Sequence, residues 1–328
     1  MVAVVACDQY RPPILDAALR RLLAPLGGIT RFVAPGNKVL IKPNLLTDRR
    51  PEEAVTTHPE LVRSLIRLLR AEGAIVAVGD SPANVVKIEA VWERTGFRAM
   101  CREENVELVN LEQGGVRTVE VNGLAFPIAE RVLSADVLIN VPKVKTHVLT
   151  TLTGAVKNLY GTIPGFTKAA LHKRFPKPRQ FASVMVALAR ILKPALSLAD
   201  GVFGMEGDGP SGGTVVPLGF LAASTDTADL DAGLCRLLDI PVSRVPYLVA
   251  LGEADAHATA GRPVVLETDT PTPLRRILLP RVPPLHLVPD GVFRILRPVV
   301  WVRPRFTNAC LRCGLCVKAC PEIGRAHV

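Results

Sequence analysis

Apolar runs alternate with amphipathic stretches from the first residues onward. Residues 2–6 read as a short buried strand. Leu15, Leu19, Leu22, Leu23 and Leu26 then share one face of a helix over about 14–26. Residues 38–44 predict a second strand, followed by a helix over 59–71 with Pro59 in its first turn. A third strand over 74–78 ends in Gly79-Asp-Ser-Pro82, and a helix follows over roughly 86–95. Strands are predicted near 106–111, 137–141, 196–199 and 218–222, and helices near 156–160, 182–192 and 227–238. This alternation predicts an α/β domain over 1–262: an open, mostly parallel sheet with helices on both faces.

Beyond it, residues 263–305 are dominated by proline and arginine without a sustained period. They predict an extended connector with one short helical piece near 291–296. Residues 306–328 form a small C-terminal ferredoxin-like module. It is organised by Cys310, Cys313, Cys316 and Cys320 with Pro321 directly after, the C-x2-C-x2-C-x3-C-P spacing that binds a 4Fe-4S cluster. Iron of mixed valence favours soft thiolates, and Gly314 relieves crowding in the tight coil. A structural zinc site would instead use two C-x2-C pairs separated by a longer loop.

In two-cluster ferredoxins the fourth cysteine of such a run ligates the other cluster, yet only one run is present. Either the four ligands fold round one cluster, or a partner chain completes it, or the sequence stops short of a second run. The last is favoured, because residues 308–328 are few for a ferredoxin module. A second cluster or a divalent metal is left open. Cys7, Cys101 and Cys235 lie in apolar stretches, where burial is the ordinary outcome.

Composition narrows the classes. A hydrophobic content of 48% with 5% aromatic residues suits a Val, Leu, Ala and Ile core under a parallel sheet. No apolar stretch has the length of a membrane span, and seven cysteines with a cluster motif imply a reducing compartment, here the cytoplasm. The net charge is +10, of which residues 271–328 carry +8, with ten Arg or Lys against Asp290 and Glu322. The preceding domain is nearly neutral, so a nucleic-acid surface is not expected. The basic collar suits an acidic electron-transfer partner of ferredoxin or flavodoxin type, an anionic membrane surface, or simple solubility.

Ligands of open parallel sheets bind beyond the carboxyl ends of the strands. Polar residues gather there: Lys42, Asn44 and His58; Asp80; Lys143, Lys145, Thr146, His147, Lys157 and Asn158; Asp200 and Glu206. The lysines predict a site for a phosphate- or carboxylate-bearing small molecule, with Lys42, Asn44, His58, Lys143, Thr146, Lys157 and Asn158 as binding candidates. Lys145, His147, Asp80, Asp200 and Glu206 are the catalytic candidates, as proton carriers or metal ligands.

Six segments resemble one family: Lys42-Pro-Asn44, Thr57-His-Pro59, Gly79-Asp-Ser-Pro82, Pro142-Lys-Val-Lys-Thr-His147, Leu152-Thr-Gly-Ala-Val-Lys-Asn-Leu-Tyr-Gly161 and Asp200-Gly-Val-Phe-Gly-Met-Glu-Gly-Asp-Gly-Pro210. With the cysteine run they are similar to the iron–sulfur proteins catalogued as domain of unknown function 362, over about 39–238. The resemblance implies an α/β domain, often with ferredoxin-type cluster binding. Members commonly carry two cysteine runs. The functional expectation is an iron–sulfur redox enzyme that couples a 4Fe-4S cluster to an anionic small-molecule site. The competing expectations are an electron-transfer or scaffold protein, and a non-redox metal-dependent enzyme with a structural cluster.

Overall fold

A computed structural model describes residues 1–82, 86–121, 123–254, 264–266, 274–281 and 292. The chain runs β1 (Val2–Ala6), α1 (Pro12–Leu23), β2 (Lys38–Pro43), α2 (Pro59–Ala71), β3 (Ile75–Asp80), α3 (Ile88–Arg94), α4 (Phe97–Glu103) and β4 (Glu107–Asn110). It continues with β5 (Val116–Val121), β6 (Leu124–Ala129), α5 (Glu130–Leu133), β7 (Val137–Val141), β8 (Lys143–His147), β9 (Thr151–Thr153), α6 (Ala155–Asn158) and α7 (Thr167–Arg174). Then come α8 (Pro178–Leu192), β10 (Leu196–Glu206), β11 (Thr214–Ser224), α9 (Thr227–Leu237), α10 (Pro246–Ala254) and β12 (Val264–Leu266).

The main sheet has the order β12-β1-β11-β10-β7-β2-β3-β4, and β8 pairs with both β10 and β9. Pairings are parallel except those of β11 with β1 and β10, and of β8 with β9. The central strands β2 and β7 are largely apolar because both faces are covered. Along β2, Val39 and Ile41 join the core that holds α1 and α2, while Leu40 joins the core that holds α8 and α9. The same alternation sends Val137 and Ile139 of β7 to one side and Leu138 to the other. This is the mostly parallel α/β sheet with helices on both faces that the sequence predicts.

Four local differences matter. Residues 143–147, expected as a loop, form β8, pairing Lys143 with Asp200 and Lys145 with Thr153. Polar side chains hid this strand, since Lys143 and Lys145 are buried despite their charge. The glycine-rich stretch after Ala199, expected as a loop, is the outer half of β10. Its glycines mark close approach, not mobility: a Cβ on Gly201 would meet the Phe220 ring at 2.7 Å, and one on Gly204 the Leu218 side chain at 2.4 Å. The β5–β6 hairpin escaped notice because its alternation of apolar and polar residues lies largely on an exposed strand.

The last difference concerns the connector. The compact unit extends from Met1 to Arg281, past residue 262. β12 adds to the sheet edge beside β1, and the Leu274 and Ile277 amides donate to the Leu237 and Leu238 carbonyls. The expected helical piece near 291–296 and the four-cysteine run fall, apart from Val292, outside the described residues.

Leu65 of α2 is fully buried in the layer it shares with α1. Leu65→Ala is expected to lower stability by about 2–5 kcal/mol, read as a shifted urea midpoint with unchanged slope.

Candidate functional site

The carboxyl ends of β2 and β3 lie side by side, which brings Lys42 and Asp80 together. Their ion pair is 2.8 Å long and both side chains are almost wholly buried. Asp80 accepts further from the Leu45 amide (2.7 Å) and the Ser81 amide (2.8 Å), so its charge is well satisfied. Lys42 also donates to the Pro43 carbonyl at 2.9 Å. Beside it, Asn158 Oδ1 accepts from Asn44 Nδ2 at 2.8 Å, and Asn158 Nδ2 donates to Asn140 Oδ1 at 2.8 Å. This amide chain ties β2, β7 and α6 into one floor.

Above the floor is a cavity of about 360 Å³. Its lining contains four lysines, Lys42, Lys145, Lys157 and Lys168, against a single carboxylate, Asp80. Lys168 of α7 donates to the Ser81 carbonyl (2.7 Å), the Ser81 hydroxyl (2.5 Å) and the Pro82 carbonyl (2.6 Å). Lys145 donates to the Val55 carbonyl. Lys157 lies over the Tyr160 ring at 4.8 Å and the Phe181 ring at 5.9 Å. Among the described residues neither Lys145 nor Lys157 has a carboxylate partner.

Burial and mutual repulsion weaken the charged forms. Desolvation first, then Lys42 and Lys168, bring Lys157 down to about 8. Desolvation brings Lys168 to about 8 against the pull of Asp80 and Glu112. Lys145 falls well below the usual lysine range through desolvation, reinforced by Lys157 and Lys143. His147 is held neutral by burial and by Lys157 and Lys145. Its Nδ1 accepts from the Leu149 amide at 3.1 Å, which leaves the proton on Nε2. Two further polar atoms of the lining, Asn44 Oδ1 and Thr153 Oγ1, are buried without a hydrogen-bond partner.

The residues singled out in the sequence separate into two groups. Lys42, Asn44, Asp80, Lys145, His147, Lys157 and Asn158 meet at this cavity. Lys143, Asp200 and His58 do not line it. Asp200 is fully buried, pairs with Lys143 at 3.0 Å, and accepts from the Tyr10 hydroxyl (2.6 Å) and the His58 amide (2.9 Å). The His58 ring stacks on Tyr10 at 3.7 Å, caps α2 through Nδ1, and is lowered to about 4 by burial. That network is closed on itself. Glu206 spends its carboxylate on the Leu278 amide (3.1 Å) and on Arg275, and Thr146 donates to the Gly207 carbonyl at 2.8 Å.

Sequence reasoning missed Thr153, Tyr160, Gly161, Lys168 and His172, all on the lining. The first three stand inside the Leu152–Gly161 segment already marked as distinctive. Lys168 and His172 sit one turn apart on a helix with little amphipathic signal. Missed also was Asp231 of α9, whose oxygens accept from the Ala155 (2.6 Å) and Val156 (3.0 Å) amides and so set the start of α6. Burial raises that carboxyl to about 7.

For metals, the described residues contain no group of three or more His, Cys, Asp or Glu able to hold an ion. Cys7, Cys101 and Cys235 are buried free thiols, and burial pushes Cys101 up to about 12, far from a thiolate. Cys310, Cys313, Cys316 and Cys320, the ligands expected for a cluster, lie outside the described residues. None of the described helices is long and apolar enough to cross a membrane.

Residues 39–236 match a family model described as "Domain of unknown function (DUF362)". A thylakoid-associated protein of Synechocystis sp. is 35% identical over 260 residues, covering 79% of this chain and 81% of its own. The structure of the lactate racemase apoprotein from Thermoanaerobacterium thermosaccharolyticum aligns with 70% of this chain at a TM-score of 0.45 and 17% identity. The chain spans about half of that structure's length, 55%.

Gly161 forms part of the cavity wall, where an added Cβ would meet Asp80 Oδ1 at 2.3 Å and Lys42 Nζ at 2.8 Å. Gly161→Ala is expected to push the pair apart and to destabilise by roughly 1–3 kcal/mol, measured by urea unfolding. Unchanged stability would show that the pair yields without cost.

Proposed function

The chain belongs to the DUF362 family, and from that premise we propose that it is an iron–sulfur redox enzyme whose α/β domain binds an anionic small molecule. The observation that carries the binding half is the pair of lysines, buried Lys145 and half-buried Lys157, facing a cavity without a carboxylate of their own. Buried cations demand counter-charge. A carboxylate or phosphate entering the cavity would supply it, and would find the Thr153 hydroxyl unpartnered as a donor. Lys157, with Lys168 on the same cavity lining, binds and orients such a group. His147 Nε2–H offers a neutral donor to a second oxygen of the ligand.

The redox half is supported by the thiolate spacing at Cys310, Cys313, Cys316 and Cys320. A cluster held there exchanges single electrons with an external carrier, and the basic residues 271–328 suit an acidic protein partner. The cysteine chemistry is consistent with a reducing compartment.

Sulfate, which does not titrate near neutrality, is the first probe. Calorimetric affinity at pH 7 is expected to fall about tenfold or more, roughly 1.4 kcal/mol, in Lys157→Met. In the wild type it is expected to weaken as pH rises through about 8, where Lys157 and Lys168 lose their protons. Affinity indifferent to both changes would dispose of the anion site. For the cluster, anaerobic reconstitution should give equal amounts of iron and acid-labile sulfide, lost in Cys313→Ser. A colourless, iron-free chain would remove the redox half.

A further inference from the structure

The four cavity lysines are not equivalent. Lys42 is charge-paired with Asp80, and Lys168 is surrounded by three oxygens with Glu112 4.0 Å away. Lys157 rests on two aromatic faces, which favour a cation. Lys145 has none of these. Its oxygen partner is the neutral Val55 carbonyl, which can accept from an amine as well as from an ammonium and supplies no counter-charge. Its charged neighbours are mostly other lysines, Lys157 and Lys143 foremost and Lys42 last, with Asp80 the one acid among them. It is 1% exposed, and it lines the same cavity as Lys157 and His147. An enclosed amine among cations is the setting in which a lysine serves as a nucleophile toward carbonyl carbon.

We infer that Lys145 condenses with the carbonyl group of a small aldehyde or ketone whose carboxylate or phosphate is held by Lys157. This rests on the anion-binding reading above. Lys145 Nζ forms a bond to the carbonyl carbon, and the C=O π pair moves to oxygen, which takes up the proton lost from nitrogen. The resulting hydroxyl leaves as water with one added proton, while the nitrogen lone pair closes the C=N bond. Amine, carbonyl compound and one proton thus give an iminium ion and water, with no oxidant or reductant required. His147 Nε2–H on the same cavity is a hydrogen-bond donor for the carbonyl oxygen as charge gathers on it. The iminium then draws electrons from the adjacent carbon, which acidifies a neighbouring C–H bond.

The full chain is incubated separately with pyruvate, 2-oxoglutarate and glyceraldehyde 3-phosphate in the presence of sodium cyanoborohydride. Hydride from the reagent adds to the iminium carbon and fixes the adduct as a secondary amine, located by peptide mass spectrometry. At pH 7 at least one compound is expected to label Lys145 tenfold or more above the exposed lysines. The two oxo acids and the sugar phosphate distinguish a carboxylate from a phosphate ligand. The label should vanish in Lys145→Met and be suppressed by excess sulfate. Because that variant can fail to fold, the wild-type pH profile gives a second reading. An ordinary lysine gains about tenfold in amine per pH unit between 7 and 9, and Lys145 should rise less steeply. Label spread over exposed lysines with none on Lys145, or a full tenfold rise per unit, overturns the inference. Sulfate binding that persists without a Lys145 adduct sinks this step alone, whereas loss of sulfate binding sinks the pocket itself.

Discussion

The buried ion pair between Lys42 and Asp80 is the contact on which the rest of the site depends. Both residues stand at the ends of adjacent parallel strands, so the sheet itself sets their separation. Paired charges this deep are tolerated because two backbone amides complete Asp80 and a carbonyl completes Lys42. With that pair neutral overall, Lys145 and Lys157 have no carboxylate partner among the described residues. The polarity of the site follows from having one acid where symmetry would call for more. Close packing enforces the arrangement: Gly161 leaves no room for even a methyl group beside the pair.

Much of the fold is legible from the alternation of apolar strands and amphipathic helices. α2 occupies the expected 59–71, opened by Pro59, β7 occupies the expected 137–141, and β2 and β3 end within two residues of their expected bounds. What the pattern hides is strand structure built from polar or glycine-rich sequence. β8 carries three titratable side chains in five residues, and the outer half of β10 carries two glycines that make room for the Phe220 and Leu218 side chains. Neither resembles a strand when side chains alone are counted, because the reason for each residue lies on a neighbouring strand distant in sequence.

The site is legible to a similar depth. Position at the carboxyl ends of strands brings forward Lys42, Asn44, Asp80, Lys145 and His147, and all of them reach the cavity. Which lysine has a partner is invisible in one dimension. Lys143 and Lys145 are two residues apart in the same strand, yet Asp200 and Tyr10 claim the first and leave the second to the cavity. Asp200 looks like a proton carrier in the sequence and is instead the hub of a closed network joining β10, β8 and the start of α2. Lys168 and His172 come from α7, which offers no periodic signal to mark its inner face.

The cap that Asp231 places on α6 gives that helix a second anchor besides the sheet. Lys42 and Asp80 take their positions from the sheet, whereas Lys157 takes its position both from the sheet, through its neighbour Asn158, and from α9, through two hydrogen bonds to one carboxylate. The distance between the ammonium of Lys157 and the floor is therefore a relation between two frames of reference. Residues of α9 that never touch a ligand share in setting the spacing of the charges that would receive one.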